Sequence, residues 1–216
     1  LWALAYAPSI GPGLYHAWED GYVPVNRAFA DAALAELEAQ PDAAVFFHDY
    51  HLYLAPRFVR EARPDAPLAH FVHIPWPEPN SWRVLPEPIR YAIHDGLLAN
   101  DVVGFHAHRW RRSFLRSSRD LLDADCDFDR SICSHRGGRT FVAARPISVD
   151  PTEFEDLADG DEVRRLEAEL ESHRPEVLVL RVDRTDPSKN IVRGFRAFEV
   201  YLDAHPEMHG RVGMLA

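Results

Sequence analysis

Four short stretches carry residues able to do chemistry. The most informative is Arg181-Val182-Asp183-Arg184-Thr185-Asp186-Pro187-Ser188-Lys189-Asn190, which follows the apolar run Val177 to Leu180. Lys189 is the only lysine among 24 basic residues. The chain has replaced every ordinary surface lysine by arginine and kept one ammonium, a compact point charge that arginine's wide planar fork does not imitate in a narrow space. Arg184 lies five residues upstream. Asp186 or Ser188 is placed to cap a helix starting near Lys189, and Pro187 suits its first turn. The free N–H groups of that helix start, with two cations beside them, would suit a diphosphate. Taken alone, the stretch is equally well described as a helix cap with solvated charges.

The other three stretches are His48-Asp49-Tyr50-His51, His73-Ile74-Pro75-Trp76-Pro77 and the segment around His106. His48 with His51, His70 with His73, and His106 with His108 each have a spacing that metals use. Residues leaving a strand point in varied directions, however, and there is no His-Glu-x-x-His helix, so neither a metal nor a cofactor is expected. Asp49 is better suited to accepting sugar hydroxyls or orienting a base. Pro75 restricts the backbone that follows His73. Trp18, Tyr50, Trp76 and Trp82 offer flat faces of the kind that cover the C–H surface of sugars, although part of any such set goes to the core. A histidine and an aspartate facing a diphosphate grip across a cleft point to transfer of a glycosyl group from an activated donor.

Each stretch closes a short apolar run. Ala43 to Phe47, Leu68 to Val72 and Asp101 to Phe105 read as strands buried on both faces of a parallel sheet. Helices alternate with them, one ending near Arg63 and one marked by Ile89, Ala92, Ile93 and Leu97. Upstream, Leu1 to Ala7 is a further apolar run. Trp18, Tyr22 and Asn26 then lead into a helix on which Phe29, Ala33 and Leu37 share a face. Such alternation predicts an open parallel sheet with ligands at the carboxyl ends of its strands, which brings Asp49, His73 and His106 to one crevice. Thr140 to Ala144 is a further strand, and a charged helix from about Pro151 to His173 reads as a bridge. Val177 to Leu180 then restarts the pattern, with Ile191, Phe195, Phe198 and Leu202 on the next helix. The predicted class is α/β with two Rossmann-like domains, the first over residues 1–172 with the bridging helix, the second beginning over 173–216.

Composition sets the outer limits. With 216 residues, 46% of them hydrophobic, the chain can fill a sizeable core. A net charge of -10 argues against nucleic acid as a partner. The strongest basic run, Arg109, Arg111, Arg112, Arg116 and Arg119, falls at helical spacing around Phe114 and Leu115 and reads as a solvated helix face. No apolar run reaches the roughly 18 residues of a membrane span. Cys126 and Cys133 lie in a polar segment with no second pair, so neither a disulfide scaffold nor a zinc ribbon is expected, and a reducing cytoplasm fits. The chain starts at Leu1 and is read as a fragment.

Several of these motifs, in this order, resemble the trehalose-6-phosphate synthases, retaining two-Rossmann-domain glycosyltransferases of glycosyltransferase family 20. The resemblance runs through Leu1-Trp2, Trp18-x3-Tyr22-x2-Val25-Asn26-x2-Phe29-Ala30, His48-Asp49-Tyr50-His51-Leu52, His73-Ile74-Pro75-Trp76-Pro77, Asp101-x2-Gly104-Phe105, Pro146-Ile147-Ser148-Val149-Asp150 and Arg184-x4-Lys189. It implies a GT-B fold, with the N-terminal domain nearly complete and the C-terminal one truncated. It also implies transfer of glucose from a nucleotide-glucose to glucose 6-phosphate, with retention and without a metal or cofactor, in trehalose biosynthesis. Carried over by motif, Arg184 and Lys189 would hold the donor diphosphate, and His73, with His106 beside it, the donor sugar. Asp49 would contact the reacting sugars, and Trp18 and Tyr50 the acceptor. A homo-oligomer, and a separate trehalose-phosphate phosphatase acting on the product, are compatible with it.

The sequence also departs from that pattern. Gln is common where His106 stands, and Arg-Leu-Asp-Tyr-x-Lys-Gly is common where Arg184-Thr185-Asp186-Pro187-Ser188-Lys189-Asn190 stands. These changes leave the donor base, UDP or GDP, and the acceptor open. Similar wording occurs in pseudo-glycosyltransferases that join a nucleotide-cyclitol to an amino-cyclitol phosphate, and an inactive sugar-phosphate-binding paralogue is a further alternative. The family's glycine-rich loop is expected before Leu1 and its nucleotide pocket beyond Ala216, so the fragment by itself is expected to be inactive.

Overall fold

The computed structural model describes residues 11, 13–171, 173–186 and 189–216; the expected strand at Leu1 to Ala7, as well as Pro187 and Ser188, lie outside them. Packing divides the chain between Ile147 and Ser148, and the charged helical stretch that follows groups with the second unit in that division.

The first unit opens with a helical turn, Leu14–His16, which passes through a wider π-helical segment, Ala17–Tyr22, into α1 (Val23–Ala39). Asn26, Ala30 and Leu37 form the buried face of α1. Phe29, expected on that face, is 54% exposed. The stripe is set by Ala30, one residue and so about 100° further round the helix. Then follow β1 (Val45–His48), a 3₁₀ turn (Tyr50–Leu52), α2 (Ala55–Ala62), β2 (Leu68–Val72), α3 (Pro79–Trp82), α4 (Glu87–Leu97), β3 (Val102–Phe105) and α5 (His108–Leu122). Three further strands close the unit: β4 (Asp125–Asp127), β5 (Ile132–His135) and β6 (Gly138–Ala144).

These strands form one sheet in the order β1-β2-β3-β6-β5-β4. The first four are parallel, and their register sets His48 beside Phe71, Phe71 beside Gly104, and Val72 beside Phe105. The residues that follow Val72 and Phe105, His73 and His106, therefore leave the sheet at the same level. Two apolar clusters pack on the sheet: Val72, Val103, Phe105, Phe114, Leu115 and Val142 are buried in one, and Leu37, Phe47, Val59 and Leu68 in the other. Trp76 and Trp82 belong to the first cluster, at 2% and 0% exposure, and the Trp76 Nε1–H donates to Ser117 Oγ at 2.9 Å.

The antiparallel edge made by β4 and β5 overturns one expectation. Cys126 and Cys133 face each other across it and are joined by a disulfide. They lie seven residues apart, but the hairpin makes them direct cross-strand neighbours. The inference of a reducing compartment rested on unlinked thiols and loses that ground.

The second unit holds α6 (Pro151–Ala158), α7 (Asp161–Glu171), β7 (Val177–Leu180), α8 (Ile191–Ala204) and β8 (Val212–Leu215), with β7 and β8 parallel. The single charged helix expected here is two helices, interrupted at Asp159 and Gly160. Asp150 caps the first, accepting a hydrogen bond from Thr152 N at 3.0 Å. No helix among the described residues is long and apolar enough to cross a membrane.

Candidate active site

Asp49 is the turning point of the site. It follows β1 with φ 59° and ψ −172°, a conformation that is essentially reserved for glycine. Three hydrogen bonds hold it there. Its N–H donates to the Phe71 carbonyl at 2.7 Å, its own carbonyl accepts from His70 Nε2 at 2.9 Å, and its Oδ1 accepts from the His73 N–H at 3.2 Å. A carbonyl can only accept, so His70 carries its proton on Nε2. Burial pushes the His70 pKa down to about 3, against the pull of that carbonyl and with help from His48 and His73, so His70 is a neutral support beneath the turn.

Three imidazoles form a chain above it. His48 Nδ1 meets His73 Nε2 at 3.1 Å, and His73 Nδ1 meets His106 Nε2 at 3.3 Å. Neutral His73 has one N–H, so it donates to one neighbour and accepts from the other. Partial burial lowers the His73 pKa; Asp49 opposes that shift, while His106 and His48 add to it. His73 is therefore an uncharged, oriented hydrogen-bonding group at neutral pH. The Phe71 ring lies 4.8 Å from both the His73 and the His106 rings. Gly104 makes room for it: a Cβ there would come within 2.6 Å of Phe71 Cδ2. The Gly104-Phe105 pair thus has a packing reason.

Next to this cluster lies an aromatic cavity of about 300 Å³, lined by Trp18, Tyr22, Tyr50, Tyr53 and Trp82 among others. The π-helical segment sets Trp18 and Tyr22 in a stack with centroids 5.1 Å apart. The Tyr22 hydroxyl donates to the Tyr50 carbonyl at 2.6 Å and accepts from the Tyr53 N–H at 3.1 Å. Burial raises the Tyr22 pKa well above its usual value despite opposing bonds, which keeps the hydroxyl protonated. Asn26, fully buried, ties the same segment down: its Nδ2 donates to the Tyr22 and His51 carbonyls at 2.9 and 3.0 Å, and its Oδ1 accepts from Leu54 N and Ala55 N at 2.9 and 3.1 Å. The amide of α1 thereby takes the place of an N-cap for α2, whose own N-cap residue, Leu54, has no side chain able to do so.

Arg184 and Lys189 belong to the second unit and are exposed there. The helix after them starts later than expected: its N-cap is Asn190, left-handed at φ 53° and without a capping side-chain bond, and Asp186 instead receives the Lys189 N–H on its backbone carbonyl at 3.0 Å. Arg181 ties the loop together, pairing with Asp183 at 2.8 Å and donating to the Lys189 carbonyl. An open depression of about 610 Å³ beside the loop is lined by Thr185, Asp186, Asn190, Arg193 and Arg196 among others, and neither Arg184 nor Lys189 is in its lining.

The structure thus brings Asp49, His73 and His106 into one cluster and Trp18 and Tyr50 to one cavity. Sequence reasoning named Tyr22 and Asn26 only within the run leading into a helix and within the family motif, and took His48 and His70 only as metal candidates. Trp18, Tyr22 and Asn26 recur every four residues, and that helical stripe of aromatic and amide side chains was the available signal.

With this geometry in view, the sequence matches Glycosyltransferase family 20 over residues 1–216. The chain belongs to that family. It is 40% identical over 196 residues to a validamine 7-phosphate valienyltransferase of Streptomyces hygroscopicus subsp. jinggangensis, covering 88% of this chain and 38% of that protein. It is 35% identical over 211 residues to a trehalose-6-phosphate synthase of Mycobacterium avium, covering 94% and 42%. An alpha,alpha-trehalose-phosphate synthase (UDP-forming) from Burkholderia xenovorans, solved in complex with glucose-6-phosphate, superposes with a TM-score of 0.75 at 27% identity over 98% of this chain and 46% of that one. The chain has the fold of the GT-B type glycosyltransferases, and it spans less than half the length of these relatives.

Proposed function

We propose that the protein carrying this chain transfers glucose from a nucleotide-glucose to glucose 6-phosphate with retention, giving trehalose 6-phosphate. The observation that carries this reading is Asp49, held in a glycine-like backbone conformation and hydrogen-bonded to His73 at the carboxyl ends of parallel strands. Ligands collect at such strand ends in open α/β sheets. In this reading Asp49 receives hydroxyls of the reacting sugars, His73 and His106 orient the donor sugar, and Trp18 and Tyr50 cover the acceptor. Arg184 and Lys189 hold the diphosphate. As the glycosidic bond breaks, charge grows on the leaving diphosphate, and fixed cations stabilise it most at that moment. The leaving phosphate can take the acceptor proton on the same face, so the route asks for no protein nucleophile, metal or cofactor.

A second reading has a specific observation behind it. The valienyltransferase is 40% identical, against 35% for the synthase, and its name gives validamine 7-phosphate as what it acts on. The same site would then couple a nucleotide-cyclitol to an amino-cyclitol phosphate. The deciding experiment measures nucleoside diphosphate release by the full-length protein with UDP-glucose and GDP-glucose, each with and without glucose 6-phosphate. Release that depends on glucose 6-phosphate establishes the first reading and names the base. Absence of dependent release with both donors refutes it in favour of cyclitol coupling or a non-catalytic sugar-phosphate binder.

A further inference from the structure

The amino-terminal edge of the first sheet, opposite the strand ends that carry Asp49, His73 and His106, holds a second polar cavity of about 340 Å³. Arg57 and Arg60 of α2 line it from one side, Asp101 from the segment entering β3, and His135, Arg136 and Arg139 from the β5–β6 hairpin. Four arginines therefore meet two carboxylates, Asp101 and the adjoining Asp95, in a chain whose net charge is -10.

Both carboxylates are already engaged. Asp95 accepts from Arg57 Nε at 2.8 Å and Nη2 at 3.1 Å, and from His135 Nε2 at 2.8 Å; Arg136 Nη1 stands at 3.3 Å. Asp101 accepts from Arg60 Nη2 at 3.1 Å and from Leu68 N at 2.8 Å. Burial works against the Asp95 charge, but His135, Arg57 and Arg136 outweigh it and hold its pKa below the usual carboxylate value. The positive charge in excess of the two carboxylates lies with Arg136, whose side chain is 51% exposed while it shares Asp95 with Arg57 and His135, and with Arg139, whose side chain has no ion pair or hydrogen bond among the described residues.

The backbone points the same way. Arg136 at φ 48° and Gly137 at φ 80° form a two-residue turn closed by the His135 and Gly138 pair. The first position of such a turn favours Asn, Asp or Gly. An arginine is held there against its preference, and its guanidinium lines the cavity.

We propose that this cavity is a binding site for a phosphate group, free or as a phosphomonoester, separate from the strand-end site. Arg136 and Arg139 are its direct ligands, because the planar guanidinium fork matches phosphate oxygens in pairs. Asp95 and His135 are positioning residues that fix Arg136. The volume suits a ligand of sugar-phosphate size.

The test is calorimetric titration of the full-length protein with inorganic phosphate and, separately, with glucose 6-phosphate, repeated on Arg136→Gly, Arg139→Gln and Lys189→Ala. Arg136→Gly relieves the turn, and Arg139 is exposed, so both variants fold; their melting temperatures verify it. Saturable phosphate binding that each hairpin variant weakens by about tenfold, the scale of one charge-assisted hydrogen bond, and that Lys189→Ala leaves intact, is expected. If glucose 6-phosphate also loses a binding step in the hairpin variants, the ligand is a phosphomonoester; if only inorganic phosphate does, it is the free ion. No saturable binding of either probe, or equal affinity in the wild type and both hairpin variants, overturns the proposal.

Discussion

Replacing Asp49 by Ala and by Gly tests whether the site stores backbone strain. At φ 59° and ψ −172° a residue with a Cβ is destabilised by about 1–3 kcal/mol relative to glycine. Both substitutions remove the 3.2 Å bond to the His73 N–H, so that loss cancels between them. Glycine gains the strain relief but loses about 0.5–1 kcal/mol through the greater freedom of its unfolded chain. Asp49→Gly should therefore be more stable than Asp49→Ala by about 1–2 kcal/mol, the reverse of the order at an ordinary position. Against the wild type, Asp49→Gly should lie near neutrality while its transferase rate collapses, since the carboxylate is gone. Urea unfolding of the three proteins, monitored by tryptophan fluorescence, gives the comparison. Equal stabilities, or Ala above Gly, would refute the claim that the Asp49 conformation is imposed on it by the site.

Three further outcomes are expected. Asn26→Ala removes four buried hydrogen bonds and leaves the first N–H groups of α2 without acceptors, which should lower stability by about 3–5 kcal/mol and displace Tyr50 and His51; a loss below about 1 kcal/mol in urea unfolding would show that water replaces the amide. His70 and His94 are buried and neutral, with pKa values lowered mainly by burial to about 3 and about 4. The unfolded chain takes up their protons below about pH 6.5 while the folded chain refuses them, so stability is complete above that pH and falls as the pH drops, by about 2 kcal/mol per histidine at pH 5; equal urea midpoints at pH 7 and pH 5 would contradict this. Lys189→Ala in the full-length protein should lower the transferase rate about 10²-fold, and a near-normal rate would leave Lys189 a solvated loop charge.

The parts of the fold that depend on local pattern were legible. Leu68 to Val72 and Val177 to Leu180 end where their apolar runs end, and the strand-helix alternation placed Asp49, His73 and His106 at one edge. What escaped the sequence depends on contacts distant along the chain. Asn26 stands in the sequence only as a residue leading into a helix, and only the arrival of α2 makes it a cap. Phe29 reads as core, but Ala30 sets the buried face. The pairing of β4 with β5 turned two polar-segment cysteines into neighbours. At the Lys189 loop, propensity favoured Asp186 or Ser188 as the cap, whereas the chain enters α8 through a left-handed Asn190, a residue that tolerates that conformation.

The distribution of charge argues for a division of roles. The strand-end cluster contains three hydrogen-bonded histidines, and burial, with His106 and His48 beside it, lowers the pKa of His73 and keeps that residue uncharged at neutral pH; its carboxylate neighbour Asp49 does not reverse the shift. An imidazolium at this position could donate from both ring nitrogens but accept at neither. The neutral His73 imidazole gives direction without charge, which suits recognition of a sugar ring whose hydroxyls both donate and accept. In the proposed function, permanent positive charge is carried separately by Arg184 and Lys189 of the second unit. His106 is the end of the imidazole chain, with its Nδ1 buried and unpartnered among the described residues. His106→Gln keeps a side chain able to donate and accept toward His73 but removes that second ring nitrogen. It should therefore preserve folding and shift the KM for the donor sugar more than kcat; a fall in kcat with KM unchanged would assign His106 to the chemical step itself.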